Sequence, residues 1–178
     1  MSAALEALYS GDRAAAVSLL APDAELSVFE AAAFGREARL EELLDADPSL
    51  ATAFSGDGFT ALHLAVFGEQ EGAARLLLAH GADVDVVATS EIARVAPLGT
   101  AAFVRSVPLA RILLDAGADP DGGEEGGSGA LHSAAQSGDE ALVRLLLERG
   151  ADPARATSDG VRPIDLASSD ALRRLLSA

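Results

Sequence analysis

Three histidines are the first residues in this sequence that could bind a metal, and the chain has no cysteine. His63 and His132 each follow an Ala-Leu dipeptide in two similar segments, 69 residues apart. If each segment is one layer of a stack of helices, two layers separate the imidazoles by on the order of 20 Å. At that distance they cannot share an ion. His80 stands near the end of a predicted helix, where the helix dipole favours a cation. We therefore expect no metal site.

A glycine-rich acidic run at residues 119–127 is the second candidate for ion or phosphate chemistry. Its acidic residues lack the spacing of an EF-hand calcium loop. A Walker phosphate loop requires a lysine, and the sequence contains none. Five of the eight residues at 122–129 are glycine. We predict an exposed and mobile loop there, because glycine has much backbone entropy to lose on ordering.

Carboxylates are the remaining candidates for catalysis. Acid–base catalysis by paired carboxylates needs two such groups in one cleft but in different environments. The acidic residues here are spread along predicted helix exteriors and loops, as at 41–42 and 139–140. No Ser–His–Asp arrangement is recognisable. We predict no catalytic residues, no cofactor and no enzyme activity. An enzyme with an unrecognised site is a distant alternative, which a deep pocket with a strongly perturbed carboxylate pair would favour.

Three similar segments predict pairs of short helices. Each starts with the form x-x-Leu-x-x-Ala, at residues 60–65, 96–101 and 129–134. Three consecutive aliphatic residues and then Gly-Ala-Asp follow in each segment. The motif leucine recurs after 36 and then 33 residues, and the glycines at 81, 117 and 150 keep the same spacing. Glycine at such a position favours a left-handed end to the second helix.

The motif and its period resemble the ankyrin repeat, a unit of about 33 residues with the signature T-P-L-H-x-A. The resemblance implies an all-α fold, an ankyrin-repeat solenoid of about six helix pairs with β-turn fingers, in a single domain over 1–178. Within it we expect degenerate N-terminal helix pairs at 1–57, repeats at 58–90, 91–126 and 127–159, and a C-terminal cap at 160–178. The helix pairs should centre near 4–20, 29–45, 61–79, 97–115, 130–148 and 163–176. They should stack in chain order, with the outermost pairs as caps.

In ankyrin repeats the histidine of the T-P-L-H motif bonds neighbouring backbone. The resemblance therefore implies that His63 and His132 are buried structural residues, bonded to backbone of their own or the adjacent finger.

Aromatic residues recur at one position of the repeats. With the threonine of T-P-L-H as position one, position eight is Phe34, Phe67, Phe103 and Gln136 in successive repeats. In the ankyrin family this position, at the concave groove, and the finger residue just before position one commonly contact partners. The residues predicted in this way to bind a partner are Phe34, Phe59, Phe67, Val95, Phe103, Val104, Arg105 and Gln136. The alternative is that each ring packs beneath a neighbouring finger as additional core.

Charge limits the kind of partner. The formal net charge is −15, and such a surface repels phosphate, so neither nucleic acid nor an anionic membrane is expected to bind. The N-terminus lacks the pattern of a signal peptide, and no apolar stretch reaches the roughly 20 residues of a membrane span. We predict a cytoplasmic, monomeric adaptor or scaffold whose protein partner is neutral or basic on its contacting face. A dedicated inhibitor or immunity-type protein for one enzyme is the alternative. The absence of lysine and asparagine, which have A-rich codons, indicates a GC-rich source genome. The resemblance is to a small stand-alone, bacterial member of the family.

Overall fold

The computed structural model describes residues 2–20, 22–122 and 127–177, and these ranges are helical, with one isolated bridge between Phe54 and Thr60. Short 3-10 turns lie at Asp23–Glu25 and Pro48–Ala51. The α-helices of the described residues are α1 (Ala3–Tyr9), α2 (Arg13–Ser18), α3 (Val28–Ala33), α4 (Glu37–Ala46), α5 (Ala61–Phe67), α6 (Glu71–Ala79), α7 (Pro97–Phe103), α8 (Val107–Asp115), α9 (Ala130–Ser137), α10 (Glu140–Glu148), α11 (Pro163–Leu166) and α12 (Asp170–Leu176). They form six pairs at the predicted places, so the predicted fold class is confirmed.

The chain forms two compact units. The first comprises Met1–Asp83 together with Ala88–Ala93, and the second comprises Val84–Val87 together with Arg94–Ala178. Within the first unit, α3 packs on α5 and α4 packs on α6. Within the second unit, α7, α9 and α11 pack in succession, and so do α8, α10 and α12. Each unit therefore contains an inner and an outer row of helices.

The helix ends follow from local sequence. The Asp139 side chain accepts a hydrogen bond from Leu142 N at 3.0 Å at the start of α10, and Ser169 does the same for Leu172 N at 3.1 Å at the start of α12. Such N-caps satisfy backbone donors that have no partner within the helix. The glycines after α6, α8 and α10 have φ of 84°, 95° and 95°, as the predicted left-handed ends require.

The core is built from small alanines at some repeat positions and larger leucines at others. The alanines at the sixth motif position, Ala65, Ala101 and Ala134, are fully buried, which lets adjacent inner helices approach closely. Leu77, Leu113 and Leu146 fill the layer between inner and outer helices and are also fully buried. This alternation of small and large residues explains why the repeat pattern is visible in the sequence.

Neighbouring fingers are joined by backbone contacts. In the first unit, Thr89 N donates a hydrogen bond to Gly58 O at 2.9 Å. Gly58 has φ +86°, and a Cβ atom placed there would lie 2.5 Å from Ser90 N. In the second unit the link is made by acidic side chains: Asp85 accepts a bond from Asp119 N at 3.0 Å, and Asp121 accepts one from Asp152 N at 3.0 Å. Several finger carboxylates are therefore structural.

Half of the loop predicted to be exposed and mobile, residues 123–126 of 122–129, lies outside the described residues. In the described half, Gly122, Gly127 and Ser128 are half-buried and Gly129 is buried, so the expected exposure is not found there. The mobility stays a prediction. Asp119 and Asp121, at the start of the acidic run, are held in the finger by the backbone bonds just given and by a bond from Asp121 N to the Asp119 carboxylate at 2.9 Å.

The N-terminal helix pair forms at the predicted place, but it also contacts the helix pair beyond its neighbour. That it caps the stack stays a prediction. The Tyr9 ring lies 5.4 Å from the Phe67 ring, and Arg13 forms an ion pair with Glu69. Both partners belong to the third helix pair, two layers away in the predicted order. The turn residues Gly11 and Gly35 are only 24 residues apart, against 34 between Gly35 and Glu69. The connection between α2 and α3 is therefore too short to contain a finger. We call residues 2–20 the N-terminal hairpin.

Candidate functional site

The N-terminal hairpin packs on a surface made largely by aromatic residues. We define this aromatic face as Phe34, Phe59, Leu64 and Phe67. Phe34 and Phe67 are half-buried at the ends of α3 and α5, whereas Phe59 is 9% exposed and Leu64 is buried. All four pack in one cluster with Leu5, Leu8 and Ala16 of the hairpin. In the first unit, two of the predicted partner-binding rings, Phe59 and Phe67, therefore already contact the hairpin through Tyr9.

Phe34 is displaced by one position from the predicted alignment. Helix α3 has six residues, whereas α5 has seven. The bond that closes the end of α3 runs from Arg36 N to Ala31 O, and its counterpart in α5 runs from Gln70 N to Ala65 O. Ala33 is thus equivalent to Phe67, and Phe34 is equivalent to Gly68. Counting from the start of the helix gave the wrong equivalence because α3 is one residue shorter.

Tyr9 belongs to this site, but it was not identified from the sequence. Its ring contacts Phe67 edge-on at 5.4 Å and lies 6.0 Å from Phe59. Its hydroxyl donates a hydrogen bond to Asp57 Oδ2 at 2.7 Å. Burial, together with this bond and the Asp57 charge, strongly raises the pKa of the phenol, so Tyr9 stays a protonated donor. Its place at the end of α1, two residues before Gly11, was the available signal, because Phe67 and Phe103 stand two residues before their own left-handed turn residues.

Polar contacts surround the apolar part of this surface. Arg13 pairs with Glu69 at one end, and both side chains are about half exposed. At the other end, Ser2 and Ser27 bond the Glu30 carboxylate. Burial of Glu30 acts to raise its pKa, but the bonds from Ser27 and Ser2 outweigh it, and the pKa is lowered. Polar contacts of Tyr9 and Arg13 therefore join the hairpin to the third helix pair and its finger.

In the second unit the predicted residues lie at the ends of α7 and α9. Phe103, the last residue of α7, is 73% exposed. Val104 and Val95 are half-buried, while Arg105 and Gln136 are exposed. Arg105 has φ 60°, the same value as the equivalent Glu69 of the first unit. Because α7 and α9 are neighbours, Phe103 and Gln136 lie near the ends of adjacent inner helices.

The structural prediction for the two motif histidines is confirmed. His63 and His132 are 1% and 2% exposed. His63 Nδ1 accepts a bond from Thr60 N at 3.4 Å and lies 2.8 Å from Thr60 Oγ1. His132 Nδ1 accepts a bond from Gly129 N at 3.2 Å, and its Nε2 lies 3.1 Å from Val161 O in the following finger. Each imidazole thus accepts a hydrogen bond from the backbone N–H of the residue just before its own helix, and that of His132 also contacts the following finger.

The carboxylates with clearly lowered pKa values stand at the starts of helices, where hydrogen bonds stabilise their charged form. Hydrogen bonds from the guanidinium and the backbone N of Arg162 to the Asp165 carboxylate lower the pKa of Asp165 at the start of α11, as the serines do for Glu30 at the start of α3. Across residues 2–20, 22–122 and 127–177, no group of three or more His, Cys, Asp or Glu is arranged to hold a metal ion. No helix in those ranges is long and apolar enough to cross a bilayer.

Comparison with known proteins agrees with this architecture. The family model "Ankyrin repeat" matches residues 57–89, and "Ankyrin repeats (3 copies)" matches residues 88–157. Among solved structures, the ankyrin repeat domain of Bcl-3, a unique member of the IkappaB protein family, matches with a TM-score of 0.78 and 30% sequence identity. That match covers 99% of this chain and 80% of the Bcl-3 chain. No curated protein sequence matches. The chain belongs to the ankyrin-repeat family, whose repeats mediate protein–protein interaction.

Proposed function

We propose that this protein is an adaptor or scaffold that binds another protein through residues at the ends of its inner helices and through its finger tips. The observation that carries the proposal is the exposure of Phe103, whose side chain is 73% accessible at a repeat position where the family commonly contacts partners. A large apolar ring kept at the surface among polar residues is typical of an interaction site. Aromatic rings also tend to dominate interface energetics.

The surface proposed in the second unit contains Phe103, Val104, which follows it in the sequence, and Val95, which lies in the finger before α7. Arg105 and Gln136 supply a cation and an amide at its margin. In the first unit Phe67 holds the same repeat position, Phe34 lies one position further along its own repeat, and Phe59 supports them from the core. This is a mixture of one aromatic anchor and a polar rim, as interfaces commonly have.

Charge supports a partner that is neutral or basic on its contacting face. The net charge of −15 favours the approach of cationic surfaces and disfavours acidic ones. Binding should therefore weaken as ionic strength rises. The proposal treats the protein as a cytoplasmic, monomeric binding protein without enzyme activity, as the sequence predicts.

The test compares capture of partners by three forms of the full chain: the unmodified protein, Phe103→Ala and Leu19→Ala. Leu19 is the control because it is an exposed apolar residue, at 52%, outside the proposed surface. Proteins retained by the unmodified chain and by Leu19→Ala should be depleted about five- to thirtyfold with Phe103→Ala, as for loss of about 1–2 kcal/mol at an interface anchor. Equal retention by all three forms would contradict the proposal. A single retained enzyme would favour a dedicated inhibitor over a general adaptor.

A further inference from the structure

In the first unit the N-terminal hairpin covers Phe67. In the second unit Phe103, at the same repeat position, is largely exposed. Phe67 and Phe103 each end an inner helix of seven residues, and each is followed after one residue by a left-handed turn residue. Phe103 is 73% exposed, whereas Phe67 is half-buried against Tyr9. The difference is made by the hairpin, because its tyrosine contacts the Phe67 ring directly.

The contact has the composition of a protein–peptide interface. Leu5, Leu8 and Tyr9 share one side of α1, at the spacing by which an amphipathic helix enters an apolar groove. The opposite side carries the exposed Glu6. The polar contacts lie around the apolar ones: Tyr9 bonds Asp57 in the finger, and Arg13 pairs with Glu69.

The second helix of the hairpin contributes little to this contact. Helix α2 buries Ala16 alone, while Val17 and Leu19 next to it are 55% and 52% exposed. A short connection to α3 keeps the hairpin at an effective concentration of about millimolar near the face. A modest intrinsic affinity is then enough to keep the face covered, and an external ligand must compete with the tethered one.

We propose that the N-terminal hairpin is an internal ligand that covers the aromatic face, and that the partner's own amphipathic helix displaces it. The proposal rests on the proposed protein-binding function. The partner helix carries the chemistry that the hairpin shows: aliphatic side chains for the sites of Leu5 and Leu8, an aromatic hydroxyl for Tyr9, and a basic residue for Arg13. A basic residue facing Glu69 agrees with a partner that is basic on its contacting face.

Tyr9 reports directly on the position of the hairpin, because it is the only tyrosine and the chain has no tryptophan. The opened variant is Leu5→Asp with Leu8→Asp, which places charge in the buried contact and keeps Tyr9. The control is Val17→Asp, which adds charge to the exposed side of the same hairpin. Alkaline titration of the phenol, followed by ultraviolet absorbance, should give an ordinary tyrosine pKa in the opened variant. In the unmodified chain and the control, ionisation should need a much higher pH.

A synthetic, fluorescently labelled peptide of residues 2–20 then tests whether the released face accepts a helix. We expect it to bind the opened variant at least tenfold more tightly than it binds the unmodified chain or Val17→Asp, because there the tethered hairpin competes. Fluorescence anisotropy measures the affinity, and far-UV circular dichroism during urea unfolding shows whether the repeats remain folded.

Several results would overturn the inference. They are an unchanged Tyr9 titration in the opened variant, equal peptide binding by all three proteins, no peptide binding by a folded opened variant, or global unfolding of that variant. The last result would show the hairpin to be an integral part of the core. None of these results involves Phe103, so the inference can fail while the proposed function, tested through Phe103→Ala, stands.

Discussion

Gly58 and Gly81 offer a matched test of the contact between fingers in the first unit. Both have left-handed backbone, with φ of +86° and +84°. A Cβ on Gly81 would meet nothing within 4 Å, whereas a Cβ on Gly58 would lie 2.5 Å from Ser90 N and 2.7 Å from the Thr89 carbonyl carbon. Replacing each glycine with alanine therefore imposes the same backbone strain and differs only in the steric contact.

The magnitudes follow from these contacts. Left-handed backbone costs an alanine about 1–2 kcal/mol, and the less flexible unfolded chain offsets about 0.4–1 kcal/mol of that. Gly81→Ala should thus lower the free energy of unfolding by about 0.5–1.5 kcal/mol. Gly58→Ala should add about 1–3 kcal/mol for overpacking and about 1 kcal/mol for the bond from Thr89 N to Gly58 O. Its total loss should be about 2.5–5.5 kcal/mol.

Urea unfolding followed by far-UV circular dichroism measures both losses in one experiment. Tyrosine fluorescence adds a local signal, because Asp57, the acceptor for the Tyr9 hydroxyl, directly precedes Gly58. We expect Gly58→Ala to alter the fluorescence of the folded protein and Gly81→Ala to leave it unchanged. Equal losses of stability in the two variants would refute the reasoning, because they would mean that the fingers do not approach closely at Gly58.

Three further measurements test individual contacts. His132→Ala should lower the free energy of unfolding by about 2–4 kcal/mol in urea, since it leaves Gly129 N and Val161 O without a partner and opens a cavity; a loss below about 0.5 kcal/mol would contradict this. Tyr9→Phe should cost about 1 kcal/mol, because it removes only the bond to Asp57 and keeps the ring, and a neutral effect would contradict the bond. The Leu76 carbonyl and then Asp45 raise the pKa of His80 above 6.5, so its stabilising contribution is complete below pH 6.5 and is lost as pH rises through the folded-state pKa. Proton NMR titration should show that raised pKa and a lower one in Asp45→Asn, and an unshifted His80 in both proteins would contradict it.

The sequence by itself determined the repeats. Six helix pairs, the left-handed glycines after the outer helices of the repeats and the burial of His63 and His132 were all predictable, because each depends on residues within one repeat or its neighbour. The same capping and packing interactions recur in every repeat of about 33 residues. Each copy of the pattern therefore supports the same prediction of a helix pair. The ankyrin-repeat family and its binding role follow from this pattern.

The tertiary structure decided which parts of the repeated surface are covered. The bond between Tyr9 and Asp57 joins residues 48 positions apart, and no local pattern specifies such a pairing. The short interval from Gly11 to Gly35 was visible in the sequence, but it shows only that a finger is missing and not where the hairpin packs. The one-residue shortening of α3 likewise moved Phe34 out of the alignment. Exposure of an aromatic ring depends on what other segments lie against it, and that is why Phe67 and Phe103 share a position in the repeat but not an environment.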